Sequence, residues 1–356
     1  MRDRFNMQFR LRRVEGRPEI VMVNGRPVTE PDLAGQYTMD ESGQITENGE
    51  ADVLYRNDGQ GRFTAVPFTG GGFLDEEGKA LASPPYDWGL TAMFRDIDGD
   101  GAPDLYVCND LASPDRIWIN DGAGKFRVIR RLALRKTSWF SMAVDFADVN
   151  RDGYDDFLVT DMLSRDHLKR HTQNTDHRTV SLPIGEIEAR PQTARNTLFL
   201  NQGDGDFAEI AYLSGLEASD WSWSSVFLDV DLDGFEDLLI ATGFERDVQD
   251  VDIAKELEVA RKEQRLSDDE SLRMRRRFPR LATPNRAFRN RGDLTFEECA
   301  RVWGFDVAGV SQGLALADLD NDGDLDVAIN RLNDPAVLLR NDSPAPRVAV
   351  RLKGAG

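Results

Sequence analysis

The chain is poor in the residues that carry most catalytic and cross-linking chemistry. Its 356 residues include two cysteines and three histidines. Two cysteines cannot build a disulfide framework, so Cys108 in "DLYVCND" and Cys299 in "FEECARVWG" read as buried free thiols. No apolar run approaches the roughly 20 residues of a membrane span. The opening "MRDRFNMQFRLRRVEG" is basic without an apolar stretch, so no export signal is visible in it. Positive charge is in deficit, with 44 Lys and Arg against 63 Asp and Glu and a net charge of −19. That balance argues against nucleic acid, which needs basic patches. There is no Ser-His-Asp arrangement and no Gly-rich phosphate loop. Paired carboxylates occur only within the loops described next.

The excess acid is concentrated. "DIDGDGAPD" begins at Asp96, "DVNRDGYDD" at Asp148, "DVDLDGFED" at Asp229 and "DLDNDGDLD" at Asp318. All four read D-x-[DN]-x-D-G-x-x-D, which marks an internal repeat. Two residues before each loop stand Phe94, Phe146, Phe227 and Leu316, the expected core residues between repeats. Seven before stand Gly89, Ser141, Ser222 and Ser311, all small, and eight before stand Trp88, Phe140, Trp221 and Val310. After each loop comes an apolar run: "LYVCN", "FLVTD", "LLIAT", "VAIN". A second signature follows in "IWINDGAGKF", "LFLNQGDGDF" and "AFRNRGDLTF". Its Asn (Asn120, Asn201, Asn290) lies 28 residues before the next loop in all three cases. An earlier copy, "LYRNDGQGRF", has Asn57 lying 39 residues before Asp96.

Each unit therefore reads strand, acidic loop, strand, connection, strand, tight turn, strand. The runs are short, rich in Val, Ile, Leu and Phe, and bounded by Gly, Asn and Asp. Repeated four-stranded antiparallel sheets imply an all-β fold, a β-propeller. A fifth, degenerate unit is expected at the start. There "GRPEIVMVNG" parallels "GAPDLYVCND" and "DVLYRNDGQGRF" completes the sheet. Its loop keeps only Glu15 and Glu19 and is expected to hold no metal. Residues 1–345 would form the propeller, and 346–356 a last strand or the start of a further domain. Two segments, 162–194 and 244–284, are too long for loops and fall between second and third strands, so both should leave the same face. The second is helical in period over "DVDIAKELEVARKEQRL". A further helix follows, opened by a capping box of Ser267 with Glu270 and ended by Pro279.

The loop chemistry suits a hard cation. Ca²⁺ takes six to eight oxygens in flexible geometry. Positions 1, 3, 5 and 9 offer side-chain oxygens, position 7 its carbonyl, and Gly at position 6 allows the sharp turn. The expected ligands are Asp96, Asp98, Asp100, Ala102 and Asp104 in the first loop. In the second they are Asp148, Asn150, Asp152, Tyr154 and Asp156, and in the third Asp229, Asp231, Asp233, Phe235 and Asp237. The fourth offers Asp318, Asp320, Asp322, Asp324 and Asp326. The first six positions are those of an EF-hand loop, but the Glu at position 12 is missing and strands flank it. Zinc is disfavoured because these loops contain no His or Cys. At ~1 mM Ca²⁺ and a Kd of ~0.1 mM each site would add ~1.4 kcal/mol. Four such sites rival a domain's net stability. They would be empty at cytosolic calcium, which favours an exported protein.

These loops, with small and aromatic residues upstream, resemble the FG-GAP or VCBS repeats of integrin α-subunit propellers. "RNTLFLNQGDGDF", "DWSWSSVFLDVDLDGFEDLLIATGFERDV" and "GLALADLDNDGDLDVAINRLNDPAVLLRND" look closer still to bacterial VCBS-repeat proteins of the ASPIC/UnbV, or cartilage-acidic-protein-like, group. The resemblance covers most of residues 50–352. It implies calcium-stabilised propellers, usually seven-bladed, on secreted, periplasmic or cell-surface proteins. Here five repeats are visible, and "RVAVRLKGAG" resembles the opening strand of an ASPIC/UnbV domain, so the chain reads as a fragment. Three functions compete: a scaffold for protein or carbohydrate binding and adhesion, a propeller enzyme, and a purely structural piece. The enzyme or transition-metal reading rests on His167, His171 and His177, which fall within eleven residues with Asp161, Asp166 and Asp176 near.

Overall fold

The computed structural model describes residues 7–14, 17–30, 33–39, 43, 45–111, 113–173, 190–263, 268–346, 348, 350 and 352–353. The fold is mostly β, built of many small sheets that are predominantly antiparallel. Unit 1 pairs Gly89–Arg95, Asp104–Asn109, Arg116–Asn120 and Phe126–Val128 in that spatial order, with Phe73–Leu74 added in parallel at the outer edge. Unit 2 pairs Ala143–Ala147, Asp156–Thr160, Thr197–Asn201 and Phe207–Glu209. Unit 3 pairs Ser222–Leu228, Asp237–Thr242, Arg286–Asn290 and Phe296–Glu298. Unit 4 has three strands, Ser311–Ala317, Asp326–Arg331 and Val337–Leu339.

The second strands of units 1–3 are buried along their whole length and largely apolar after a leading Asp, because both their faces are covered. Side chains alternate across a strand. In Asp156–Thr160, Phe157 and Val159 pack with Tyr106, Cys108 and Ile117 of unit 1, while Leu158 packs with Leu238, Ile240 and Phe288 of unit 3. Unit 3 repeats the pattern, Leu239 turning instead toward Val327 and Ile329 of unit 4. The first strands of successive units lie beside one another. Both cysteines are buried free thiols.

Three expectations change. The early copy does not assemble as one sheet. Arg17–Val23 pairs with Phe9–Val14 and Arg26–Pro27, and Leu54–Asn57 pairs with Phe63–Val66 in a separate hairpin. The cause is local: Asn24 (φ 50°) and Gly25 (φ 78°) form a tight turn of the kind that favours hairpins. It folds the chain back onto the strand edge that Leu54–Asn57 needed. Phe94 is not a core residue; it is 54% exposed, whereas Phe146 and Phe227 are buried. Its sheet has the first strand of unit 2 beside it, but among the described residues no first strand of a preceding unit lies on the other side. Unit 4 lacks a fourth strand among the described residues. In units 1–3 the turn after the Asn needs positive φ two and four residues on, at Gly122 and Gly124, Gly203 and Gly205, Gly292 and Leu294. Unit 4 has Ser343 and Ala345 there, each before a proline, which forces extended backbone.

The inserted segments carry helices: His167–Thr172 in the first, Val251–Glu263 and Asp268–Arg275 in the second. Ser267, half of the expected capping box, lies outside the described residues. The segments meet where Gln173 bridges to Asp250 and donates to Gln249 at 2.7 Å. As second-to-third connections they lie at the strand ends opposite the acidic loops. Among the described residues no helix is long and apolar enough to cross a membrane.

Candidate functional site

All four acidic loops adopt one backbone. Position 6 is a glycine with φ between 87° and 95° in every case: Gly101, Gly153, Gly234 and Gly323. Position 4 is also left-handed, as Gly99, Arg151, Leu232 and Asn321. Three of these are not glycine, a conformation that costs about 1–2 kcal/mol for an L-residue. The position-1 carboxylate holds the turn. Asp148 accepts from the N–H of Asp152 at 3.0 Å and of Gly153 at 2.8 Å, and Asp229 does the same with Asp233 and Gly234 at 3.0 and 2.9 Å. Asp318 has equivalent bonds from Asp322 and Gly323, whereas Asp96 accepts from Gly99 at 2.9 Å and Gly101 at 3.0 Å.

Position 9 is buried and does structural work. Asp104 Oδ2 accepts from Ile97 N at 2.8 Å and its Oδ1 from Asn120 N at 2.7 Å. Asp156 does the same with Val149 and Asn201, Asp237 with Val230 and Asn290, and Asp326 with Leu319 and Asn341. One carboxylate thus joins the loop to the third strand. Burial pushes Asp104 up to about 6 and Asp156 and Asp237 to about 7, against the pull of those two N–H donors.

The same asparagines tie units together. Asn290 Nδ2 donates to Val149 O of the preceding loop at 2.8 Å, and Asn341 Nδ2 to Val230 O at 2.8 Å. Asn201 reaches Ile97 O at 3.4 Å. The fixed spacing of 28 residues exposed these asparagines in the sequence, but not their role. Position 7 braces the loop sideways: the rings of Tyr154 and Phe235 lie against Gly203 and Gly292 so closely that a Cβ there would sit 2.8 and 3.1 Å from ring carbons.

Of the expected ligands, positions 1, 3 and 9 converge. Asp96, Asp98 and Asp104 bring carboxylate oxygens within 4.8 Å of one another, as do Asp229, Asp231 and Asp237, and Asp318, Asp320 and Asp326. In the second loop Asn150 takes position 3 and donates to Asp152 at 2.8 Å. Position 5 is not part of these trios. Asp100, Asp152, Asp233 and Asp322 each turn Oδ1 to the N–H of position 7. The donor set is all oxygen, and Oδ1 of Asp231 is buried without a hydrogen-bond partner. Both features suit a hard cation. An unforeseen residue occupies the third loop: Arg289 Nη2 lies 2.6 Å from Asp231 and 3.1 Å from Asp233.

At the opposite end, His167 and His171 approach each other with Nε2 atoms 3.2 Å apart, and both are exposed. His177 and Asp176 lie outside the described residues. Asp161 is buried, accepting from Ser138, Trp139 and Phe140, and Asp166 caps the helix through Lys169 N at 2.9 Å.

The family model for FG-GAP-like repeats matches residues 96–159, 189–240 and 280–329. These three stretches are similar to FG-GAP-like repeats. The matched stretches begin or end within units 1–4 and take in all four acidic loops. No curated protein matches the sequence. Among solved structures, an Agrocybe aegerita lectin, described for recognition of non-reducing terminal N-acetylglucosamine, is 14% identical, with a TM-score of 0.37. The likeness covers 91% of this chain and 71% of that one.

Proposed function

We propose that this chain is a calcium-braced section of a β-propeller that presents a binding face to a protein or carbohydrate partner outside the cell. The observation that carries the calcium reading is the repeated convergence of carboxylates from positions 1, 3 and 9 on one loop backbone. Asp96, Asp98 and Asp104 would hold the ion in the first loop, Asp148, Asn150 and Asp156 in the second, Asp229, Asp231 and Asp237 in the third, and Asp318, Asp320 and Asp326 in the fourth. The ion supplies charge neutralisation. The chain's own residues supply the fixed turn, the link to the third strand, and the asparagine tie to the preceding unit.

Binding rather than catalysis is the reading because the polar clusters at the loops are committed to backbone N–H groups. The partner face is assigned to the strand ends away from the loops, where the two insertions meet. FG-GAP repeats are typical of extracellular proteins, which agrees with sites that fill only at millimolar calcium. The test is the thermal midpoint measured from EGTA to about 5 mM Ca²⁺, with Mg²⁺ and Zn²⁺ in parallel. A rise specific to Ca²⁺ supports the reading. A flat response would leave the loops as self-capped turns and remove its basis.

A further inference from the structure

We infer a second metal site, of different chemistry, on the helix His167–Thr172. It does not depend on the calcium reading. The two histidines are four residues apart, so they share one helix face. Their rings stand 4.6 Å apart at 87°, and their Nε2 atoms lie 3.2 Å from each other. A first-row cation binds imidazole nitrogen at about 2.0–2.1 Å. Two nitrogens 3.2 Å apart can both reach one such ion, subtending about 100° at it, close to the tetrahedral angle. Filling the site requires exchange of the His–His hydrogen bond for two N–metal bonds, with little movement of backbone.

The helix is held without the metal. Asp166 caps its start. Arg170 donates to Ser164 O at 2.5 Å and to Glu217 at 3.3 Å. Gln173 at its end donates to Met162 O at 3.0 Å as well as to Gln249. A short helix in water would fray; this one is tied to its own unit and to the other insertion. The neighbouring carboxylates are engaged elsewhere, Asp161 with buried donors and Asp166 as the cap. Among the described residues no His, Cys, Asp or Glu trio includes either histidine. Among the described residues the site therefore offers two nitrogens, with its other positions open to water. Such a donor set selects Cu²⁺, Ni²⁺ or Zn²⁺ over Ca²⁺ and Mg²⁺. The spacing is that of H-E-x-x-H, but Leu168 stands where that motif carries its general base, so the site binds metal without that route to hydrolysis.

The experiment uses the full chain in 5 mM Ca²⁺, which occupies the oxygen sites, and titrates it with Cu²⁺. Calorimetry should show one equivalent bound at micromolar Kd. The copper electron paramagnetic resonance spectrum should carry splitting from two nitrogens. His167→Gln and His171→Gln should each weaken binding about tenfold or more. Circular dichroism and the thermal midpoint should be unchanged, because both rings are exposed. Binding that persists in the double variant, that calcium abolishes, or that shows fewer than two nitrogen ligands would overturn the inference.

Discussion

The first and third acidic loops share one frame and answer its charge differently. Both pin position 9 between two N–H donors, and both bring three carboxylates together. The first has glycine at its left-handed position 4, and Ile119 precedes its partner Asn120. The third has Leu232 at φ 57° and Arg289 before Asn290, with the guanidinium resting on Asp231 and Asp233. The fourth loop is intermediate: Arg340 holds the same place, but it pairs with Asp342 at 2.8 Å and stands 3.8 Å from Asp320. The repeat thus separates two jobs. Position 9 builds the fold in every unit, whereas counter-charge at positions 3 and 5 varies from unit to unit.

The largest expected effect tests the shared job. Asp104→Ala and Asp237→Ala each remove a buried carboxyl acceptor and leave two backbone N–H donors without it, and each should cost about 3 kcal/mol or more. The loss should appear in EGTA as well as in calcium, measured by urea unfolding. Near-equal melting of wild type and either variant in EGTA would show that position 9 matters only as a metal ligand. Asp98→Ala, by contrast, should change the calcium response and leave stability in EGTA within about 0.5 kcal/mol.

A smaller effect separates the two backbones. Gly99→Ala in the first loop meets no neighbour within 4 Å of the new Cβ, so its cost is the left-handed strain alone, about 1 kcal/mol. Leu232→Gly in the third should recover part of that cost. The pair of midpoints, read together, fails the argument if both variants move in the same direction.

The smallest effect concerns counter-charge. An exposed ion pair contributes roughly 0.2–1 kcal/mol. Arg289→Leu should therefore raise calcium affinity of the third loop about two- to five-fold without touching the first. Site-resolved titration by NMR would read this, and an unchanged third loop would show that Arg289 yields freely to the ion.

Much of this was legible in the sequence because its determinants are local. Gly at position 6, the carboxylate spacing and the apolar second strands each follow from what a tight turn, an oxygen cluster or a two-sided strand requires. The helices of the second insertion were visible for the same reason. The early copy misled because its alternation matched a unit, while Asn24-Gly25 quietly specified a different partner for Arg17–Val23. The histidine cluster was visible as composition, but which nitrogens converge depends on a helix whose bounds are set by Asp166 and Gln173.

The sequence by itself determined the repeat, the four loops and their donor chemistry, since these are written in spacings of nine residues or fewer and in one constant period. Only the tertiary structure decided what the period serves. In units 2–4 the asparagine after the third strand reaches the carbonyl of the preceding unit's loop, Asn201 to Ile97, Asn290 to Val149 and Asn341 to Val230. It decided too that Arg289 lies on its own loop and that Phe94 faces water. Contacts of this kind join residues separated by more than fifty or a hundred positions. They exist only once neighbouring sheets are packed against each other.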